Sequence, residues 1–247
     1  MSKILTGQVA LVTGASRGLG AAVAVELARL GAHTVLTART QGGLEETDDA
    51  IRAAGGTATL LALDLREPEK LESIAPSVFA RFGRLDTLVH CAAVLGKLTP
   101  VGHATARDRE EVLAVNTLAA WRLIQSCEPP LRHAPAGHAV FATDAMADTP
   151  SAYWGAYAAS KAAAQTLVLA WAAETAATNL RVNLFDPGPI GTKLRAAAYP
   201  GMPRDTLPSP DAAAKAMVAL CLPAETRHGE IVRHHAPGAV AGTAIAP

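Results

Sequence analysis

Tyr157 and Lys161 are the two side chains of this sequence best suited to moving a proton. They stand four residues apart within the helical pattern Gly155–Ala177, so they share a helix face and the ammonium lies near the phenol. Bringing a tyrosine pKa from about 10 to about 7 takes roughly 4 kcal/mol of phenolate stabilisation. One cation at about 4 Å, in an effective dielectric of about 20, supplies roughly that energy. The spacing therefore predicts an acid/base tyrosine with a lysine partner.

A glycine-rich stretch near the N-terminus has the composition of a phosphate-binding turn. It reads Thr13-Gly14-Ala15-Ser16-Arg17-Gly18-Leu19-Gly20. Glycines let the backbone approach a pyrophosphate, and the N–H groups and dipole at the start of the following helix attract its charge. The strand, turn and helix context predicts a dinucleotide site. Because a nicotinamide supplies only hydride, the protein must supply the proton, and the proton-transfer pair fits that need.

Apolar strand patterns alternate with helical patterns along the whole chain, which is typical of βαβ units in a parallel sheet. The predicted strands lie near Val9–Thr13, Thr34–Ala38, Thr59–Leu63, Leu85–Cys91, His138–Thr143, Leu180–Phe185 and Glu230–Arg233. The predicted helices are Leu19–Leu30, Leu44–Ala54 and Glu69–Phe82, closed by Gly31, Gly55 and Gly83, then about Ala106–Cys127 and Gly155–Ala177. We expect an α/β fold, a Rossmann-like, doubly wound, seven-stranded parallel sheet, as a single domain over residues 1–247.

The composition narrows the class of partner. The 22 basic side chains balance the 22 acidic ones, so no nucleic-acid footprint is expected and a small-molecule substrate fits better. The three cysteines lack C-x-x-C spacing and the histidines lack ligand spacing, so we expect no metal and a reducing, cytoplasmic compartment. We find no signal peptide and no membrane-spanning segment.

Several separate motifs together resemble the short-chain dehydrogenase/reductase family over nearly the whole chain. The turn has G-x-x-x-G-x-G spacing, Tyr157 and Lys161 form Y-x-x-x-K, and Asn116 stands in a Val-Asn-Thr run. Pro187, Gly188 and Thr192 match P-G-x-x-x-T. The resemblance implies that Lys161 also bonds the nicotinamide ribose, that Asn116 holds a water, and that Thr192 contacts the carboxamide. The run Tyr153–Tyr157 looks most like a bacterial subgroup of oxidoreductases.

Residues after the second and third strands favour NADP(H) over NAD(H). An acid after the second strand would bond the ribose 2′-hydroxyl, but this chain has Ala38 there, followed by Arg39. A guanidinium suits the 2′-phosphate of NADP, and Arg17 in the turn adds a second cation. The resemblance also implies that Asp64 contacts the adenine and that Leu65, the next residue, belongs to the cofactor site.

Two departures from the family pattern concern the site itself. Where the family has a serine thirteen residues before the tyrosine, this chain has Asp144, preceded by Thr143. An ionised carboxylate cannot donate a hydrogen bond to an oxyanion, so either Asp144 is held protonated, Thr143 substitutes, or turnover is weak or lost. Where the family has N-N-A-G, this chain reads His90-Cys91-Ala92-Ala93, and Ala92 is expected beside the cofactor.

The favoured interpretation is an NADP(H)-dependent alcohol dehydrogenase or carbonyl reductase acting on a small apolar carbonyl or hydroxyl compound. The alternative is a cofactor-binding sensor or scaffold that has lost turnover at Asp144, and a sugar-nucleotide epimerase fits less well. By resemblance the substrate lid spans about Gly188–Ser209 and carries Arg204 among its cations. Alanine-rich helix faces predict a homodimer or homotetramer.

Overall fold

The computed structural model describes residues 3–202 and 207–234, so Arg204 and the tail from His235 lie outside the described residues. Seven strands form one sheet: β1 Val9–Thr13, β2 His33–Ala38, β3 Thr57–Ala62, β4 Thr87–His90, β5 His138–Ala142, β6 Arg181–Asp186 and β7 Ile231–Arg233. Their order is β3-β2-β1-β4-β5-β6-β7, and every neighbouring pair is parallel. The order reverses between β1 and β4, where open parallel sheets bind ligands beyond the strands' carboxyl ends. The predicted fold is confirmed.

Eight α-helices are described, and they pack on both faces of the sheet. Their bounds are α1 Gly18–Arg29, α2 Gln41–Ala53, α3 Pro68–Phe82, α4 Ala106–Leu113, α5 Ala119–His133, α6 Gly155–Thr175, α7 Lys193–Ala198 and α8 Pro210–Ala219. One buried cluster joins the strands to α3, α5 and α6, and the other joins them to α1, α2 and α8. Leu11 and Val12 fall in different clusters because successive strand residues point to opposite faces.

Two predicted boundaries are wrong for local reasons. The single helix expected from about Ala106 to Cys127 is divided into α4 and α5 by a π-helical turn, Ala114–Leu118. Strand β4 begins at Thr87 rather than Leu85. The preceding residue, Asp86, turns its buried carboxylate to the Val9 N–H at 2.8 Å and to the guanidinium of Arg84 at 2.7 Å.

None of the described helices combines the length and apolar character needed to cross a bilayer. Leu113, Leu118 and Trp121 are large apolar side chains that stay exposed around the start of α5. The homodimer or homotetramer stays a prediction.

Two buried histidines predict acid sensitivity of folding. Burial lowers the pKa of His90 to about 3 and that of His138 to about 4, from 6.5. The unfolded chain therefore takes up these protons first, so stability is full above about pH 6.5 and falls as the pH drops toward the folded values. Between neutral pH and about pH 5, we expect the shifted pKa of each histidine to lower the free energy of unfolding by about 2 kcal/mol.

Urea unfolding at neutral pH and at about pH 5 measures this loss. His90→Asn and His138→Gln should each flatten the pH dependence, whereas His103→Gln, at an exposed position, should leave it unchanged. Equal pH dependence in all four proteins would contradict the assignment.

Candidate active site

The glycine turn folds against the end of strand β4. Gly14 has φ +68°, and a Cβ there would lie 2.7 Å from the Ala92 main-chain nitrogen. Only glycine fits this approach. A Cβ on Gly20 would meet the Gly14 carbonyl group, so the first turn of α1 sits directly on the glycine turn. The structure thus brings Gly14, Gly20 and Ala92 together at the carboxyl end of the sheet.

The start of α1 faces the segment after β6. Gly18 has φ +58°, and a Cβ there would lie 3.4 Å from the Thr192 methyl carbon. Arg17, the residue before α1, makes no side-chain capping hydrogen bond, which leaves the first N–H groups of α1 available to an anion. These features fit the pyrophosphate and nicotinamide end of a dinucleotide.

Helix α2 supports the turn through contacts that the sequence analysis missed. The Thr47 hydroxyl donates to the Ala15 carbonyl at 2.8 Å, and a Cβ on Gly43 would lie 2.9 Å from the Ser16 Cβ. Leu19 is buried in the core, so only its main chain can face a ligand. A threonine four residues after a glycine gives no sequence signal of this role.

Of the two cations predicted for the 2′-phosphate, Arg39 follows the end of β2 and Arg17 precedes α1. Arg17 and Arg39 are exposed, whereas Ala38 is buried. The guanidinium of Arg66 donates to both carboxylate oxygens of Asp64 and lowers its pKa, and the charge of Arg39 lowers it further. Arg66 is a third cation at this end that the sequence analysis did not select. Leu65, beside it, is buried in the core.

Tyr157 makes its hydrogen bond to Asp144, the residue that replaces the family's serine. The buried Tyr157 hydroxyl donates to Asp144 Oδ2 at 2.5 Å. Burial and the adjacent carboxylate raise the pKa of Tyr157 well above 10. Burial and Asp144 thus shift this pKa in the direction opposite to the lowering expected from Lys161.

Lys161 is buried and its ammonium donates to the Ala142 carbonyl, at the end of β5, at 2.6 Å. Burial lowers the pKa of Lys161, and the charges of Asp144 and Asp186 oppose that shift. The charge of Asp144 thus acts on the pKa of both Tyr157 and Lys161. Tyr157 bonds Asp144 directly, whereas Lys161 bonds the main chain at Ala142, two residues before Asp144.

The Thr143 hydroxyl is turned away from the Tyr157 hydroxyl. The interpretation that Thr143 substitutes for the family's serine is therefore wrong for this arrangement. Its hydroxyl donates to Gln165 Oε1 at 3.0 Å, and the Gln165 amide donates to Asp148 at 2.7 Å. Arg233 of β7 binds the other oxygen of Asp148 at 2.6 Å. This chain of bonds holds the loop after β5, while Asp144 accepts from the Met146 N–H at 2.7 Å and faces Tyr157.

Asn116 occupies the π-helical turn and ties three segments together. Its amide oxygen accepts from the Val94 N–H at 2.8 Å, and its amide nitrogen donates to the Val94 carbonyl and to the Ser160 hydroxyl, each at 2.9 Å. Ser160 in turn donates to the Tyr157 carbonyl at 2.7 Å. With its side chain occupied, Asn116 positions the loop after β4 against the helix that carries Tyr157. The sequence analysis missed Ser160.

Pro187 and Gly188 follow β6 at the same edge of the sheet. Gly188 has φ +64°, and a Cβ there would lie 2.8 Å from the His234 carbonyl oxygen. Its N–H donates to Asp186 Oδ1 at 2.9 Å. This turn leads the chain to Thr192 beside the glycine turn.

An aromatic wall extends from Tyr157 towards α7. The Trp154 ring stands edge-on to Tyr157, with ring centroids 5.6 Å apart, and lies 5.7 Å from the Tyr199 ring. Tyr199 was not singled out by the sequence analysis, because a lone tyrosine in a lid segment gives no positional signal.

Comparisons with known proteins agree with this geometry. The model of the short chain dehydrogenase family matches residues 8–202. The uncharacterized oxidoreductase YciK of Escherichia coli K12 is 33% identical over 200 residues, 80% of this chain and 79% of YciK. The NADPH-dependent aldehyde reductase-like protein, chloroplastic, of Arabidopsis thaliana is 30% identical over 202 residues, 77% of this chain and 75% of that protein.

A solved structure is equally similar. A short chain dehydrogenase from Shigella flexneri 2a, complexed with NADP, matches with a TM-score of 0.89 at 30% identity, over 94% of this chain and 99% of that chain. Sequence and fold therefore point the same way, and this chain belongs to the short-chain dehydrogenase/reductase family of NAD(P)-dependent oxidoreductases.

Proposed function

We propose that this protein is an NADP(H)-dependent oxidoreductase that transfers a hydride between the nicotinamide and a small carbonyl or hydroxyl compound with an apolar body. The observation that carries the proposal is the position of Tyr157 and Lys161 at the carboxyl end of β5, where the buried Tyr157 hydroxyl donates to Asp144 and the Lys161 ammonium donates to the Ala142 carbonyl. This group lies at the same sheet edge as the glycine turn, where a proton donor and a hydride donor would have to meet.

The residues present fit the cofactor. The open N-terminus of α1, with Gly14 against Ala92 and Gly18 against Thr192, would hold the pyrophosphate and the nicotinamide side. Arg17 and Arg39 would bind the 2′-phosphate, since both are exposed and Ala38 offers no acid to a ribose hydroxyl. NADP in the Shigella flexneri structure, and NADPH in the name of the Arabidopsis relative, support this preference.

The chain's own groups handle the proton. When bound, the nicotinamide supplies or accepts the hydride. In the reducing direction the Tyr157 hydroxyl gives its proton to the carbonyl oxygen, and the Lys161 ammonium stabilises the phenolate that remains. Asp144 is only partly buried and contacts the Tyr157 oxygen, where its charge opposes formation of the phenolate. The raised pKa of Tyr157 keeps its hydroxyl protonated near neutral pH, which is the form that donates a proton in the reducing direction.

Titration with NADPH and with NADH by fluorescence, followed by a panel of aldehydes and ketones, tests the proposal. We expect tighter binding of NADPH and loss of its near-ultraviolet absorbance with at least one apolar carbonyl compound. Binding without consumption across the panel would overturn the oxidoreductase activity. It would favour the sensor, for which the Asp144 to Tyr157 bond is the structural argument.

Arg39→Ala should separate the two cofactors. Losing one guanidinium contact to a phosphate costs about 1.5–3 kcal/mol, so we expect NADPH affinity to fall about 10- to 100-fold with NADH affinity nearly constant. Arg52→Ala, which removes an exposed arginine paired with Asp48 on α2, is the matched control. Equal losses for NADPH and NADH would place the 2′-phosphate elsewhere.

A further inference from the structure

Helix α7 and the segment after it enclose a cavity of about 170 Å³. Thr192, Arg195 and Tyr199 are among the residues that line it. Thr192 also lies against Gly18 of the glycine turn, so one end of the cavity borders the site fitted to the cofactor. The cavity is therefore placed where a substrate would extend away from the nicotinamide.

The aromatic wall connects this cavity to the proton donor. Trp154 contacts both Tyr157 and Tyr199, and the Arg195 guanidinium carbon lies 4.1 Å from the centre of the Tyr199 ring. The stacked ring fixes the plane of the guanidinium. Arg195 is thus held two aromatic rings away from Tyr157.

Arg195 has no counter-ion in the described part of the chain. Its Nε is buried and lacks a hydrogen-bond partner, and no described carboxylate lies within ion-pair distance of it. Buried charged donors are normally paired, because leaving one unsatisfied costs free energy. A planar guanidinium is the preferred partner of a carboxylate, which it binds through two parallel hydrogen bonds.

We infer that Arg195 selects substrates that carry a carboxylate, with the reducible carbonyl at Tyr157 and the apolar body against Trp154 and Tyr199. The substrate class is then an oxo acid with an aromatic or similarly flat spacer. The inference rests on the proposed function, because it assigns the far end of the same substrate. A cofactor phosphate is the other anion that could reach this guanidinium, since Thr192 borders both sites.

The test compares 4-formylbenzoate with its methyl ester, which has the same ring and aldehyde without the charge. A charge-assisted pair contributes about 1.5–3 kcal/mol, so we expect wild-type kcat/KM to favour the acid about 10- to 100-fold. Arg195→Gln should remove that preference by raising KM for the acid far more than KM for the ester, and Arg195→Lys should restore part of it. Lys215→Gln, an exposed lysine on α8, is the control for net charge.

Binding gives a second readout that does not need turnover. Calorimetric titration of both compounds in the presence of NADP⁺ should show the same preference for the acid, lost in Arg195→Gln. Equal affinity for acid and ester in the wild type would overturn the inference, even if the ester is reduced and the proposed function stands. A fall in NADPH affinity in Arg195→Gln, with acid and ester equally affected, would assign Arg195 to a cofactor phosphate instead.

Discussion

Tyr157→Phe should lower kcat by about 100- to 10,000-fold, the usual contribution of a positioned acid or base, while NADPH affinity stays within about twofold. Phenylalanine fills the same buried space, but it removes the hydroxyl that would give a proton to the carbonyl oxygen. The Lys161 ammonium keeps its bond to Ala142 in this variant, so the lysine should remain in place. Steady-state rates and fluorescence titration measure the two effects separately.

Tyr153→Phe is the matched control. It removes the phenol hydroxyl of an exposed side chain that stands four residues before Tyr157 in the sequence. It should retain wild-type rates. Retained turnover in Tyr157→Phe would refute the proton-transfer role, whereas loss of both turnover and binding would indicate a damaged site and call for comparison of the melting temperatures.

Asp144→Ser should raise kcat/KM on simple neutral aldehydes by about 100- to 1,000-fold. A serine hydroxyl can donate to the developing oxyanion, which one such donor stabilises by about 3–4 kcal/mol, whereas an ionised carboxylate can only accept. The substitution also removes a negative charge that holds the pKa of Tyr157 high. Alcohol oxidation needs the phenolate as its base, so its rate should rise at lower pH in the variant.

The pH profile of oxidation distinguishes this electrostatic effect from a simple change in shape. Asp144→Asn should show the same shift to lower pH, because it also removes the charge, and Asp49→Ser, at an exposed position on α2, should show none. A sharp fall in reduction for both Asp144 variants would mean that the carboxylate returns protons to Tyr157 and is needed for turnover.

The turn and the proton-transfer pair could be predicted from the sequence because their signals are local. Gly14, Gly18 and Gly20 stand between a strand and a helix, and the structure places the backbone where only glycine fits. Tyr157 and Lys161 share one helix, so their spacing alone puts them on one face. Strand alternation likewise predicted the order of elements and the parallel sheet, since each strand is a short apolar run.

Contacts between distant segments were decided only by the tertiary structure. Asp144 and Thr143 are neighbours in the chain, and both could have faced Tyr157. Thr143 bonds Gln165, and Asp148 bonds Arg233. These two bonds orient the loop so that Asp144, rather than Thr143, faces Tyr157. Arg195 and Trp154 likewise meet Tyr199 only in the folded chain.

The direction of the Tyr157 pKa shift shows why the sequence alone could not determine the acidity of this tyrosine. The sequence by itself determined which groups are present: a phenol, an ammonium four residues on, and a carboxylate thirteen residues before the phenol. Whether the phenol is stabilised as phenolate depends on distances and burial, because Coulomb energies vary with both separation and local dielectric. Folding buries Tyr157 and sets its hydroxyl on Asp144, and both features raise the pKa of the phenol.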